Sequence, residues 1–566
     1  MDRPRFFSTN TARVICFAWV ALLAASFFFT LRYTRHEALE TEEYAYACDP
    51  FGYLRMAKQI RSAFADRTWP QFKLESPQTR TLINFLQSQQ IPASRWEEVV
   101  APHAHHYFPK ANSIGVQYPP GTGLALALFP QGEAVYGLNR MDVWMFGLFG
   151  VCALVVAFWK RMWTSIALVI LTLTLGLLVI ARMGEASLSI NAVLLPILFT
   201  CLLTVVAMSL DHNGRSRVAL LCAFVAGVSL GFATLVRLPS VLLLPGLVVF
   251  LWPGWRRVIG LTSLPLALVL GTVLAGVLPV LINQSDVAGA WYLTTYASID
   301  AAPPTFANMR SNISFFLGNG PGAVDNWALL VAVAGFVGFV ILTRDAGTKE
   351  RLGFGWQRLA LAAGTLWVIS ICYFLTHRVT APHYMIPTVF ATIALLAIAA
   401  FVLELTSERR FDSRRALSWM GLILVLVPGV AVLDRAWAMR RKPSEPTIAR
   451  THAPIVLPAE LADDKAWIWA DWMSGSFWYY ANKPAFNFKI ASTDAETRAL
   501  IFRYIFDRGE PQYLVQDSEE SKQYIAEIEH LGGKLELRGK VNGQLYFLID
   551  WPSSGPLQPN VARSAQ

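Results

Sequence analysis

Of 566 residues, 54% are hydrophobic and 15% charged, whereas a soluble globular chain carries about 25% charged residues. That balance excludes an ordinary soluble enzyme and places the chain among membrane proteins. The formal charge of +9 does not indicate a nucleic-acid partner, because the Lys and Arg residues lie in short loops between apolar runs, where membrane topology accounts for them.

Taken in order, the apolar runs long enough or nearly long enough to span a bilayer are 14–31, 143–159, 163–181, 188–209, 218–236, 238–252, 258–282, 327–343, 359–375, 385–403 and 416–433. The first run is longer than a signal-peptide core and no small-residue cleavage site follows it, so it reads as a retained span. Arg3, Arg5 and Arg13 put the N-terminus in the cytoplasm. Basic residues then recur in every second loop, from Lys160 and Arg161 to Arg414 and Arg415. The expectation is an all-α polytopic bundle of about 11 membrane helices over residues 1–434.

The segment 122–138 is apolar but interrupted by Pro130, Gly132 and Glu133. As a full span it would reverse the loop charges, so it is expected to lie at the outer interface. Three sizeable extracytoplasmic regions remain: 32–121, 283–326 and the tail from 435 to 566. The tail alternates strand-like stretches (AWIWA, QYLVQ, KLELRG, QLYFLID) with helical ones, and Gly533 reads as a helix stop. A small α/β domain over 435–566 is expected. Of the six cysteines, only Cys48 lies outside the apolar runs, and there is no disulfide framework.

Candidate chemistry sits in those outer regions. Glu42, Glu43 and Asp49 form an acidic cluster at the start of the first loop. Asp49 followed by Pro50 also fits a helix N-cap. Beyond it, Phe51, Leu54, Ala57, Ile60 and Phe64 recur at helical spacing, as in a helix lying on a membrane surface. YPPGTG at 118–123 makes a stiff turn that presents Tyr118. THRVTAPHYMIP at 376–387 gathers His377, Arg378, His383 and Tyr384 in one outer loop. A guanidinium at headgroup level suits phosphate, and anchoring to lipid headgroups is the other reading of Arg378. Histidines 103, 105 and 106 fall within four residues but lack a second ligand cluster, so no metal or other cofactor is assigned and a divalent ion stays open.

In layout, and in DPFGYLRMA at 49–57, YPPGTGLALALFP at 118–130, Arg140, Arg237 with Pro239, RVTAPHYMIP at 378–387 and SGSFWYYANKP at 474–484, the chain resembles the GT-C superfamily of integral-membrane glycosyltransferases. The likeness is to the bacterial branch related to protein O-mannosyltransferases and aminoarabinose transferases of lipid A. The resemblance implies a sugar transferred from a polyprenyl-phosphate donor to a lipid, glycan or protein acceptor outside the cytoplasm, in a bacterial inner membrane. It implies a carboxylate base early in the first loop, which Asp49 matches best, with Glu42 and Glu43 as rivals because DPFGY lacks the second acid often found there. It also implies an acid in the next outer loop, where Glu185 fits, although Glu185 serves equally as a cap for the following span. Arg378, His383, Arg237, Tyr384 and Tyr118 are the expected substrate contacts. A transporter or flippase, or a polymerase or ligase, of lipid-linked glycans is the alternative.

Overall fold

The structure is a computed structural model. It describes residues 17–18, 20–32, 34, 48–160, 162–182, 188–252, 263–296, 305–306, 308–309, 312, 356–377, 382–406, 456–487, 495–518 and 521–552. The expected spans 327–343 and 416–433 lie outside them, as do Glu42, Glu43, Glu185 and Arg378.

In chain order the helices are α1 (Val20–Arg32), α2 (Cys48–Asp66), α3 (Pro77–Ser88), α4 (Gly121–Ala127), α5 (Ala134–Lys160), α6 (Trp163–Arg182), α7 (Leu188–His212), α8 (Ser216–Val236), α9 (Leu244–Leu251), α10 (Leu264–Thr272), α11 (Leu278–Ala288), α12 (Trp356–Thr376), α13 (Ile386–Thr406), α14 (Ala459–Ala462), α15 (Ser474–Tyr480), α16 (Ala495–Asp507) and α17 (Ser521–His530). The strands are β1 (Lys73–Leu74), β2 (His105–Phe108), β3 (Ser113–Val116), β4 (Trp467–Ala470), β5 (Phe486–Asn487), β6 (Gln512–Gln516), β7 (Lys534–Val541) and β8 (Gln544–Asp550).

Among the described residues, five helices are long and apolar enough to cross a membrane: Ala134–Lys160, Leu188–His212, Ser216–Val236, Leu264–Ala288 and Arg358–Thr376. Four more expected spans form shorter apolar helices, Val20–Arg32, Leu168–Ala181, Leu238–Leu251 and Ile386–Val402. The chain is thus a membrane helical protein with a C-terminal α/β region.

The segment 122–138 does not form one interfacial helix. It is split between the seven-residue α4, far too short to span, and the first turn of α5. Gly132 takes φ +92°, a turn open to glycine, and α5 starts two residues later. The second span therefore begins at Ala134, and Arg140 lies inside it.

The chain divides into two compact units. The helical unit draws on Met1–Glu37, Tyr136–Val280 and Ala302–Pro443. Its tightest packing joins α8 to α10 and the π turn Val273–Val277. Gly227 abuts the carbonyl of Leu268, Gly271 that of Phe224, and Gly276 that of Gly231. Gly227 and Gly231 have the four-residue spacing by which membrane helices approach backbone to backbone. Gly271 and Gly276 are five apart, and the wider π turn between them keeps both on the contact face.

The α/β unit draws on Ala38–Val135, Leu281–Ala301 and Ser444–Gln566. Strands β1, β3 and β2 form an antiparallel sheet in that order. The tail forms a five-stranded sheet, β5-β4-β6-β8-β7. Here β4 is parallel to β5 and β6, while β8 runs antiparallel to β6 and β7. All four expected tail strands are present. The β7–β8 turn places Asn542 and Gly543 at φ +48° and +81°, as a two-residue hairpin requires. Gly532, not Gly533, takes the left-handed turn after α17. Trp467, Trp469, Phe486 and Phe502 are fully buried against one another in the sheet core.

The tail is bound to the first loop. Gln78 donates to the Ala466 carbonyl (3.1 Å), Asn487 N–H to that of Ala101 (3.1 Å), and Phe85 stacks on Tyr504 at 3.7 Å. Residues 281–296 join the same unit through Thr295, whose hydroxyl donates to the Gln117 carbonyl (2.8 Å).

Candidate functional site

The predicted apolar face of α2 exists, but protein covers most of it. Phe51, Leu54, Ala57 and Ile60 are buried, and Phe64 alone stays 73% exposed. Burial of Phe51, Leu54 and Ile60 contributes about 1.5–3 kcal/mol each. Glycines set the fit. Gly52 meets the Tyr118 ring, Gly123 meets Met56, and Gly475 meets Phe51, each too closely for a Cβ. The three stretches DPFGYLRMA, YPPGTG and SGSFWYY, the first and last separated by more than 400 positions, thus pack as one cluster. Tyr118 is buried, its ring 4.7 Å from that of Tyr53 and its hydroxyl accepting from Gln117 (2.8 Å). Asp49 lies in the first turn of α2, where the helix dipole favours a carboxylate.

The helix also carries cations. Arg61 donates to the carbonyls of Leu126 (3.2 Å) and Phe129 (2.8 Å), closing the end of α4. Arg55 lies over the Trp478 ring at 5.7 Å, and Lys58 over the Tyr479 ring at 5.6 Å. Burial pulls the Arg55 guanidinium down to about 10.

The three histidines part company. His103 Nε2 lies 2.7 Å from Asp471 Oδ1, whose Oδ2 accepts from Ser518 (2.7 Å). His105 packs on Phe51, and burial, with the Arg55 charge beside it, holds its imidazole down to about 3. His106 packs on Phe108. Among the described residues no group of three or more His, Cys, Asp or Glu is placed to hold a metal ion. Asp471 follows β4 and Asp517 follows β6, at the point where the chain turns to opposite sides of the parallel strands. Ligands commonly bind in such a crevice. Here the first loop's own His103 fills it, and Ser474 accepts the His103 N–H (3.0 Å). Burial pushes the Asp517 carboxyl up to about 7 although the N–H groups of Met473 and Asp471 donate to it.

In the helical unit, α8 ends at Val236 and Arg237 turns to extended backbone. Its guanidinium sits 4.5 Å over the Tyr384 ring and donates to Ser189 (3.2 Å). Two expected substrate contacts, 147 positions apart by number, therefore meet. Arg237 Nε is buried without a hydrogen-bond partner, and no carboxylate pairs with this guanidinium among the described residues. Tyr373 and Tyr384 pack on the cluster of Trp367, Phe374, Met385 and Val389. His377 stacks on Tyr373 at 4.2 Å. His383 falls in the short helix Pro382–Met385.

Sequence reading missed a polar group inside this unit. Asn139 and Asp142 on α5 and Asn191 on α7 are buried, with Asn191 donating to Asn139 (3.3 Å). Asp142 Oδ2, Asn139 Nδ2 and Asn191 Oδ1 lack partners among the described residues. The signal was available, since Asn139 and Asp142 share one helical face three residues apart. It was hidden by the assumption that α5 starts after them.

Comparison with known proteins gives no family model, no curated protein and no solved structure that matches this chain.

Proposed function

We propose that the chain is a glycosyltransferase that moves a sugar from a polyprenyl-phosphate donor to an acceptor on the extracytoplasmic face of a bacterial inner membrane. The observation that carries this reading is the Arg237 guanidinium, half-buried at the end of an apolar helix with no carboxylate beside it among the described residues. Such a cation is costly without an anion, and the phosphate of a membrane-embedded donor supplies one at that depth. Ser189 and the Tyr384 ring hold the guanidinium in place.

Asp49 is the proposed general base. It takes the proton of the acceptor hydroxyl as that oxygen bonds to the anomeric carbon. The bond from that carbon to the phosphate oxygen breaks, and polyprenyl phosphate leaves with the electron pair. Arg237, with Arg378 and His383 as further proposed contacts, stabilises the charge gathering on the phosphate.

The test is incubation of membranes with a panel of radiolabelled polyprenyl-phosphate sugars. One donor should lose its label to an acceptor. Asp49→Asn should abolish transfer at native expression, and Arg237→Gln should lower it by about a hundredfold or more. Full activity in Asp49→Asn would remove the base assignment, and label retained by every donor would end the reading. The buried Asn139, Asp142 and Asn191 favour one second reading, a transporter of lipid-linked glycans, because polar groups inside a bundle often mark a passage. Label that moves across proteoliposomes without leaving its phosphate would establish it.

A further inference from the structure

We infer that Arg55 and Lys58 of α2, backed by Trp478 and Tyr479 of α15, form a binding site for a phosphate-type oxyanion in the α/β unit. The two cations are three residues apart on one helix, so their side chains rise from neighbouring positions. Neither is paired with a carboxylate among the described residues. Arg55 Nε is buried with no hydrogen-bond partner, and no hydrogen bond from its terminal nitrogens is found among the described residues. Each cation instead lies over an aromatic ring, Arg55 over Trp478 at 5.7 Å and Lys58 over Tyr479 at 5.6 Å.

Those rings orient the cations without neutralising them. Trp478 and Tyr479 are themselves buried and fixed, with the Trp478 N–H donating to the Ala485 carbonyl (3.0 Å). Gly475 brings their helix against Phe51, which sets the distance between the rings and α2. The neighbouring His105 is buried beside Arg55 and held neutral, so it adds no second positive charge. Arg61, two turns from Arg55, is already spent on the carbonyls closing α4. The arrangement is one planar guanidinium whose donors are unpaired among the described residues, one exposed ammonium and two aromatic walls. That set recognises a tetrahedral oxyanion: the guanidinium offers a two-pronged contact and the ammonium a mobile point charge. A free phosphate and a lipid phosphate headgroup both present this chemistry. The site does not depend on glycosyl transfer, and a chain with no transferase activity would still bind the anion there.

Thermal unfolding of the purified full chain tests it, in detergent with inorganic phosphate or chloride at equal ionic strength, and in nanodiscs with or without phosphatidic acid. Phosphate, phosphatidic acid, or both should raise the melting temperature above the matched control. The arm that responds identifies the source. Lys58→Gln, at an exposed position, should fold normally and weaken binding roughly tenfold. Arg55→Gln should remove the shift. A shift of native size in both variants, or none in either arm for the native chain, would overturn the site.

Discussion

At the residue scale, burial shifts two separate groups of the α/β unit so that their effects on stability run in opposite directions with pH. Asp517 has its folded pKa raised to about 7 from 3.8. Between those values the folded chain binds a proton that the unfolded chain lacks, so this group's contribution is full below the unfolded pKa and is lost as pH rises to about 7. His105 is the reverse, with a folded pKa of about 3 against 6.5. Its contribution is present above the unfolded pKa and is lost as pH falls toward about 3. In the shared window, about pH 4 to 6.5, the two slopes nearly cancel. Asp517→Asn removes the titration and keeps one of the two acceptor oxygens, since the Asp471 and Met473 N–H groups donate to different carboxylate oxygens, so the variant is also less stable at every pH. It should leave the His105 slope alone, so stability of the variant falls by about 1.4 kcal/mol per pH unit below pH 6.5. Denaturant melts of the full chain across that range would reveal it, and identical pH profiles for variant and native chain would refute the raised Asp517 titration. None of this was legible in the run of histidines 103, 105 and 106, because a histidine's fate depends on what the fold sets beside it. The Arg237–Tyr384 contact was half legible: both residues stood out singly, but no spacing rule joins positions so far apart.

At the element scale, hydropathy identified most of the described spans because burying apolar length in lipid is a property of composition. It misplaced the start of α5, where the turn at Gly132 and not the loss of polarity marks the boundary. It also says nothing of which helices touch. That information is in the small residues. Gly231 of α8 has the backbone of Thr272, Ala275 and Gly276 within 2.8 to 3.0 Å of where a Cβ would stand. No rotamer change can relieve a clash with backbone, so a methyl there must part the helices. Gly231→Ala should destabilise the helical unit by about 1–3 kcal/mol. Gly227→Ala, facing the Leu268 carbonyl, should do at least as much. Unfolding in mixed detergent and denaturant would report both, and native-like melting of the two variants would mean the helices do not rely on this contact. The tail strands were read from alternating and aromatic-rich stretches. The first loop's short strands were missed because β1 has two residues and β2 is buried throughout, so neither alternates.

At the scale of the whole molecule, the α/β unit is assembled from three stretches that membrane helices separate in the chain. A unit can close only if all three emerge on one side, so each intervening set of helices must cross the bilayer an even number of times. Among the described residues between Val135 and Leu281 there are six apolar helices: Ala134–Lys160, Leu168–Ala181, Leu188–His212, Ser216–Val236, Leu238–Leu251 and Leu264–Ala288. The weakest is Leu238–Leu251, but its first six residues are a 3₁₀ turn. That stretches it to about 24 Å, close to the roughly 30 Å of hydrocarbon. If all six cross, the number is even, as the assembly requires, and losing any one crossing would put residues 281–301 on the wrong side. Ser88, Ser285 and Lys540 are exposed in the three stretches, and Asn213 is exposed between the third and fourth of the six helices. In a chain with its six cysteines replaced, Ser88→Cys, Ser285→Cys and Lys540→Cys should all react with a membrane-impermeant maleimide from one side. Asn213→Cys should react only from the other, since three crossings precede it. Labelling of intact cells against inverted vesicles reads this directly. If Ser88→Cys and Ser285→Cys react from opposite sides, one of the six helices does not cross, and Asp49 and residues 281–301 cannot belong to one folded unit.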